Sequence, residues 1–455
     1  MAQAYVIGLG KSGNAAARLL KQQGWQVTLS DRGNSPALQA QAQALTDDGV
    51  TVKLGDDFDP ETSKPEMVVV SPGVPWDVPS LEKARRLGCV TIGDMELAWR
   101  NLRDRPWVTI TGTNGKTTCT ALTAAIFQAA GLHAPAFGNI GLAACEVAMG
   151  EQVPDWCIAE LSSYQIEAAA SVTPKIALWT TFTPDHLARH KTMPNYFEMK
   201  ARLLARADIQ IFNGDDPALR EIGLTAGYPV KQNACWTSIH GKAGLIGDRD
   251  RGAYIEAGWV YVCNTKILPA AALKMPGGHN QQNLLMAVAA AHFAGISSDK
   301  IEQAIAAFPG VEHRLELIRT WNGIEFINDS KATNYDAAEV GLSSMLGKTV
   351  LIAGGASKEG NDQAWLDVIK AKASTVLLIG DAAKPFAQRL DEVGYAHYEI
   401  VETMANAVPR SAELAQQQGA GYVLLSPACA SFDQYDNFEQ RGDDFRQLCE
   451  TALPG

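Results

Sequence analysis

No stretch of this chain limits its fold as tightly as Thr111-Gly112-Thr113-Asn114-Gly115-Lys116-Thr117-Thr118. An apolar, β-branched run, Trp107-Val108-Thr109-Ile110, precedes it, and an Ala/Leu-rich segment of helical character follows as far as Ala130. Strand, glycine turn, Lys-Thr and helix are the parts of a phosphate cradle. Glycines let backbone N–H groups close on a polyphosphate, the helix N-terminus adds partial positive charge, and the lysine reaches the terminal phosphates. A threonine hydroxyl at the helix start can ligate the Mg²⁺ that accompanies a nucleotide. The usual loop places four residues between its first glycine and the Gly-Lys pair, but five positions before Gly115 stands Ile110. The pattern is therefore a shortened G-x-x-G-K-T-T, and Gly112 to Thr118 are the candidate ATP-binding residues.

At 455 residues the length suggests about three domains. Charged residues at 20 % and hydrophobic ones at 46 % are an ordinary globular balance. A net charge of −11 argues against a general nucleic-acid or anionic-membrane binder, since either wants a basic surface. The eight cysteines form no C-x-x-C pair, and most sit in apolar runs such as Trp156-Cys157-Ile158-Ala159, as small buried hydrophobes do. The N-terminus enters a strand without a basic-then-apolar leader, and no apolar stretch is long enough to span a bilayer. A reduced, cytoplasmic setting and a monomer are expected.

Residues 1–93 alternate strands and helices. Tyr5-Val6-Ile7 leads into Gly8-Leu9-Gly10-Lys11-Ser12-Gly13, and the next strand, Gln26 to Ser30, ends at Asp31. That is a Rossmann fingerprint, with NAD as its default ligand and other diphosphates as alternatives. A further strand, Met67 to Val70, runs into a turn at Ser71-Pro72-Gly73. Residues 94–309 hold the phosphate loop. There a short apolar strand ends in Glu160, where a second Mg²⁺ ligand is expected beside such a cradle. Asp185-His186 follows another strand, Lys200 lies on a helical pattern, and extra strands appear around Trp236 and Trp259. Residues 310–455 open with an Asn322-Gly323 hairpin signal and then alternate strands and helices again. The fold expected is α/β in three domains: Rossmann-like, then a P-loop parallel sheet with added strands, then Rossmann-like.

These residues together resemble the Mur ligases of peptidoglycan synthesis, whose shortened G-T-N-G-K-T-T cradle is also found in folylpolyglutamate synthases. Glu160-Leu-Ser-Ser-Tyr-Gln165, Asn328-Asp-Ser-Lys-Ala-Thr-Asn334, Leu425-Ser-Pro-Ala-Cys-Ala-Ser-Phe-Asp-Gln434 and Asn437-Phe-Glu-Gln-Arg-Gly442 carry the likeness through all three domains, toward the glutamate-adding branch. The resemblance implies an ATP-dependent ligase whose substrates are UDP-N-acetylmuramoyl-L-alanine and D-glutamate. It gives the first glycine loop UDP rather than NAD. Lys11, Ser12 and Gly13 would lie near the diphosphate, Asp31 and Arg32 on the uracil side, and Ser71 and Gly73 on the opposite wall. Asn139 would contact the substrate near its reacting carboxylate.

In the middle domain the resemblance gives Lys116 the β- and γ-phosphates of ATP. Thr117 and Glu160 would hold one Mg²⁺, and His186 and an N-carbamate of Lys200 a second. Asn280, Asn283, Arg314 and Asp329 would position the adenosine. Thr333 and Lys358 would bind one D-glutamate carboxylate and Ser431 with the Phe438 region the other, while Lys331 would lie close to the transferred phosphoryl group. Two positions depart from the pattern: Ala188 stands where relatives commonly carry an acid, and Ala356-Ser357 where they often carry an aspartate. A folylpolyglutamate synthase, an NAD-dependent dehydrogenase and a nucleotide-binding scaffold remain the alternatives. Against the first, about a domain's worth of chain precedes the cradle.

Overall fold

The computed structural model describes residues 2–357 and 360–453. Its first sheet is wholly parallel, built from β1 (Gln3–Ile7), β2 (Gln26–Asp31), β3 (Thr51–Leu54), β4 (Met67–Val70) and β5 (Val90–Gly93) in the order 3-2-1-4-5. The strand order reverses beside β1, so the glycine turn after β1 and the Ser71 turn after β4 flank a switch point, where open α/β sheets bind ligands.

The second sheet contains β6 (Trp107–Thr111), β7 (Ala136–Gly138), β8 (Cys157–Glu160), β9 (Ile176–Trp179), β10 (Ile209–Asn213), β11 (Cys235–Ser238), β12 (Ala253–Glu256), β13 (Trp259–Val262) and β14 (Thr265–Pro269). Their order is 14-13-12-11-10-9-6-8-7. Strands β6 to β12 run parallel, and an antiparallel meander of β12, β13 and β14 extends one end. The strands nearest the phosphate loop are apolar and buried on both faces, as central parallel strands must be. The expected extra strands are this meander, in which Tyr254 stacks on Tyr261 at 5.1 Å.

The first two sheets share one hydrophobic core, running from Val6 and Leu29 through Trp99 to Trp107 and Phe137. At its centre Trp107 meets Trp99 and Phe137 edge to face, each at 5.2 Å, and its indole N–H donates to the Leu102 carbonyl at 3.1 Å. A buried indole needs that partner. The chain up to Leu273, with Gln281–Phe308, forms this first compact unit.

The second compact unit, Lys274–Asn280 with the chain from Pro309 onward, is built on a third sheet. Its strands are β15 (Glu316–Trp321), β16 (Ile324–Asn328), β17 (Thr349–Gly354), β18 (Ala373–Ile379), β19 (Tyr398–Glu402) and β20 (Tyr422–Leu425), ordered 15-16-20-17-18-19. Strands β15 and β16 form the hairpin expected at Asn322-Gly323, both residues adopting positive φ. The rest of the sheet is parallel, with a hydrophobic layer on each face. Six of the eight cysteines are buried, and Cys89 and Cys263 are partly exposed. Among the described residues no helix is long and apolar enough to cross a membrane.

Candidate active site

In the first compact unit the phosphate loop leaves the buried end of β6 and enters the helix Lys116–Ala129. The loop fits only with glycine at its two bends. Gly112 has φ +154°, and a Cβ there would collide with Thr180 Oγ1. Gly115 is the helix N-cap at φ +83° with no side-chain cap, so the first N–H groups of the helix are left for a ligand. A Cβ on Gly115 would also press on the Asn283 amide oxygen, 2.7 Å away, so Asn283 sits against the cradle. The loop is braced from outside: Asn114 N–H donates to Thr181 Oγ1 at 2.8 Å, and Thr113 Oγ1 reaches the Thr183 carbonyl at 3.1 Å. Lys116 Nζ curls back to the Thr113 carbonyl at 2.8 Å. Thr117 is buried beside it, and the buried Thr118 hydroxyl has no partner.

Glu160 ends β8, next to β6, and is wholly buried. One carboxylate oxygen accepts from Asn139 Nδ2 at 2.8 Å, and the Asn139 N–H donates to the Glu160 carbonyl at 3.0 Å. The other carboxylate oxygen is buried with no hydrogen-bond partner. A buried carboxylate half left without a donor costs several kcal/mol unless a cation answers it.

Lys200 sits on the helix Met193–Arg206, which Thr192 caps through Asn195 N–H at 3.3 Å. Only 1 % of the residue is exposed. Its amine donates to the Gly112 carbonyl at 2.8 Å and lies 4.7 Å from the Tyr196 ring centre. Burial first, and then the Lys116 charge, push this amine well below the ordinary lysine range, against the opposing pull of Asp185 and Glu160. His186 caps the short helix Leu187–His190 at φ +55°. Its Nδ1 pairs with the Tyr164 hydroxyl at 3.2 Å and its Nε2 faces Asp185 at 3.5 Å. The unit thus brings together Lys116, Thr117, Asn139, Glu160, His186, Lys200 and Asn283. Among the described residues, no group of three or more His, Cys, Asp or Glu converges as a metal cage.

The first glycine turn borders a separate cavity of about 650 Å³, lined by Gly8, Asp31, Arg32, Gly73, Val74, Pro75 and Val78 among others. Asp31 does double duty. It lines this cavity and accepts both Leu9 N–H and Gly33 N–H at 2.7 Å, which fixes the turn. Ser71, buried, donates to the Gly8 carbonyl at 3.1 Å. Arg32 pairs with Asp57, which also lines the cavity, and Lys11 is held by the Gly141 carbonyl. Ser12 hydrogen-bonds Asp94, a fully buried acid that burial raises to about 6.

The second compact unit holds the remaining candidates. Asp329 follows β16, accepts from Ser426 Oγ at 2.8 Å and is raised to about 7, chiefly by burial with Arg314 opposing. Asn280 donates to the Pro276 carbonyl at 2.7 Å while its amide oxygen is buried without a partner, as is Arg314 Nε. Lys331 lies 5.0 Å above the Phe438 ring. Thr333 and the buried Ser431 stand on the two loops that Arg441 ties together. Arg441 donates to the Ser330 carbonyl at 2.7 Å and to the Cys429 carbonyl at 3.1 Å. Lys358 lies outside the described residues.

Sequence reasoning passed over Tyr196, Tyr164, Asp94, Arg189 and Arg441. Tyr196 carried one signal: four residues before Lys200 it shares a helix face, and its hydroxyl bonds Thr113 Oγ1 at 3.1 Å. The others depend on contacts distant in sequence. His190 pairs with Ser163 Oγ at 2.8 Å and falls to about 4, mainly through burial.

Three family models match the chain. They are the Mur ligase MurD-like N-terminal domain over residues 2–93, the Mur ligase middle domain over 110–291, and the Mur ligase glutamate ligase domain over 313–429. The chain is 61 % identical to the UDP-N-acetylmuramoylalanine–D-glutamate ligase of Nostoc sp. strain PCC 7120, over 99 % of its own length and 97 % of the relative's. It is 60 % identical to the enzyme of the same name from Gloeothece citriformis, over 99 % of each. Among solved structures, the MurC UDP-N-acetylmuramate-alanine ligase of Thermotoga maritima matches with a TM-score of 0.61 at 17 % identity, covering 99 % of this chain and 100 % of that one. The folylpolyglutamate synthase of Mycobacterium tuberculosis matches with 0.57 at 14 % identity, covering 77 % and 92 %. These two structures share the fold.

Proposed function

The chain belongs to the Mur ligase family, and from that premise we propose how its residues join D-glutamate to UDP-N-acetylmuramoyl-L-alanine with consumption of ATP. The activity itself follows from 61 % identity across the whole chain to a ligase of that name. The assignment of residues is our reading, and the observation that carries it is the buried, half-partnered Glu160 carboxylate beside the Lys116 cradle.

A carboxylate is a poor acyl donor near neutral pH, so the L-alanine carboxylate must first attack the γ-phosphorus of ATP. ADP leaves and an acyl phosphate forms. The D-glutamate amine then attacks the acyl carbon, the tetrahedral adduct expels phosphate, and the amine proton is lost to solvent. Two anions meet in the first step, so the site must supply positive charge aimed at the transferring group. Lys116 and the uncapped N-terminus of its helix supply part of it. Asn139, held through both its backbone and side chain by Glu160, would orient the acceptor carboxylate.

The donor set fits Mg²⁺. For one ion Glu160 offers a buried oxygen with no donor and Thr117 a hydroxyl at the helix start, and for a second His186 offers an imidazole. When bound, the ions would neutralise phosphate charge and polarise the phosphoryl oxygens. Lys200 suits this reading only as a carbamate. Its depressed basicity favours the neutral amine, the form that would add CO₂ to give a carbamate anion and one released proton, turning a donor into a hard oxygen ligand.

Asp31, Arg32 and Gly73 in the first cavity, with Lys11, Ser12, Gly13 and Ser71 on the two turns beside it, are assigned to the UDP portion. Asn280, Asn283, Arg314 and Asp329 are assigned to the adenosine, Lys331 to the phosphoryl group, and Thr333, Lys358, Ser431 and Phe438 to D-glutamate. We place the enzyme in the cytoplasm as a monomer. Phosphate release that needs ATP, D-glutamate and the UDP-linked acceptor together is the expected result. Release with a folate and L-glutamate, and none with the muramoyl substrate, would overturn the reading.

A further inference from the structure

The cavity of the first sheet and the reacting end beside His186 are joined through one side chain. The turn after β4 forms a wall of the cavity with Gly73, Val74, Pro75 and Val78, and Asp77 belongs to the same turn, between Pro75 and Val78 in sequence, without itself lining the cavity. Arg85 fixes the neighbouring residue, donating to the Trp76 carbonyl at 3.0 Å and covering its ring at 4.9 Å. Asp77 is held from the opposite direction. Arg189, on the short helix Leu187–His190, donates through Nη1 to Asp77 and through Nη2 to Glu167, both at 2.7 Å. The same guanidinium lies 5.9 Å from the ring centre of Tyr164, whose hydroxyl pairs with His186 Nδ1. Between these groups remains a gap of about 10 Å³, bordered by Ser71, Trp76, Asp94, Tyr164, Gln165 and Arg189. That is room for about one water.

The energetics argue that this clamp serves orientation more than stability. The Asp77 side chain is 61 % exposed, and such a pair is worth about 0–1 kcal/mol. Arg189 nevertheless divides its two nitrogens between the turn that walls the cavity and the helix Ser163–Glu167, which follows the strand bearing Glu160. A fork of this kind transmits position because the guanidinium is planar and its donors are fixed relative to one another.

We propose that Arg189 is a positioning residue for the ligase reaction, tying the Gly73–Val78 turn that walls the nucleotide-sugar cavity, through Asp77 behind it, to the Tyr164–His186 pair, so that a filled cavity orients the reacting end. The proposal rests on the reading of the cavity as the UDP-substrate site.

Full-length protein with Arg189→Gln, Asp77→Asn and both changes together tests it, by steady-state kinetics with the UDP-linked substrate and by calorimetric titration with UDP. Arg189→Gln is expected to raise KM for the UDP-linked substrate about tenfold and to lower kcat severalfold, with KM for ATP unchanged. Asp77→Asn should raise the same KM, and the double variant should match Arg189→Gln alone, as coupled partners do. Asp77→Glu, which keeps the charge, should restore most of the loss. Additive effects in the double variant, or a lowered Tm with both kinetic constants intact, would overturn the proposal. Wild-type protein that neither binds UDP nor turns over sinks the underlying reading as well. A wild type that turns over normally beside an unaffected Arg189→Gln sinks the clamp alone.

Discussion

Gly8–Gly13 after β1 and Gly112–Gly115 after β6 each end a buried parallel strand and open a helix whose N-cap is a glycine without a side-chain cap. Around that shared backbone the charges differ. The first turn spends its acid on itself, since both Asp31 oxygens accept backbone N–H groups of the loops they border. The second is the one to whose charges we assign the chemistry. Glu160 leaves one oxygen unanswered, Lys116 heads the helix, and Lys200 is buried in a low-basicity state. A glycine turn at a helix start is enough to seat a diphosphate. Moving a phosphoryl group needs ionisable side chains whose protonation the surroundings control.

The comparison breaks most visibly at Lys116. Lys116→Ala should reduce phosphate release by about a thousandfold or more, while calorimetric UDP affinity stays within about twofold. Equal losses of both would mean that the two turns do not act separately.

Lys200 sharpens the second turn's side. Lys200→Arg, which keeps a long hydrogen-bond donor but forms no carbamate, should cost at least about a hundredfold in kcat. A carbonyl resonance from ¹³C-labelled bicarbonate should be present in the wild type and absent from the variant. CO₂ adds only to the neutral amine, so labelling should fade as pH falls through the depressed pKa and strengthen above it. Undiminished activity in CO₂-depleted buffer would remove the carbamate.

Gly13→Ala attacks the first turn alone. Its Cβ would collide with the Gly8 carbonyl, forcing helix and strand apart where the third glycine of the fingerprint lets them meet. KM for the UDP-linked substrate should rise about tenfold or more, with KM for ATP unchanged.

A smaller effect is expected beneath the same turn, where burial raises Asp94 from 3.8 to about 6. A folded pKa above the unfolded one means stabilisation that is complete below about 3.8 and lost as pH rises through about 6. That loss amounts to at most about 3 kcal/mol. Asp94→Asn should therefore gain in Tm over the wild type between pH 4 and pH 7, and a constant gap across that range would contradict the burial argument. Smallest of all, Arg32→Ala breaks only an exposed pair with Asp57, and its Tm should stay within about 1 °C of wild type.

Much of this was legible in the sequence for local reasons. Both glycine turns, the Asn322-Gly323 hairpin and the acid ending β8 announce themselves within a few residues, because turn geometry and strand burial act locally. Lys200 did not announce itself. Read alone it is a solvated helical lysine, and only the family likeness raised it, since its burial is made by β6 and the phosphate loop, some 88 residues earlier. Asp94, Arg189 and Arg441 were passed over for the same reason. Each owes its role to partners far along the chain, and no periodicity encodes them. The Lys11 and Arg32 side chains turn to Gly141 and Asp57, which their positions beside the glycine fingerprint did not reveal.

The distribution of thiols has a practical consequence. Burial pushes the Cys145 thiol well up and raises Cys157 and Cys449 to about 12, so these side chains have neither the thiolate nor the access that alkylating dyes require. Cys89 and Cys263 are the two positions with partial exposure. Replacing those two should yield a background quiet enough for maleimide fluorophores at chosen surface sites, with the native interior left intact.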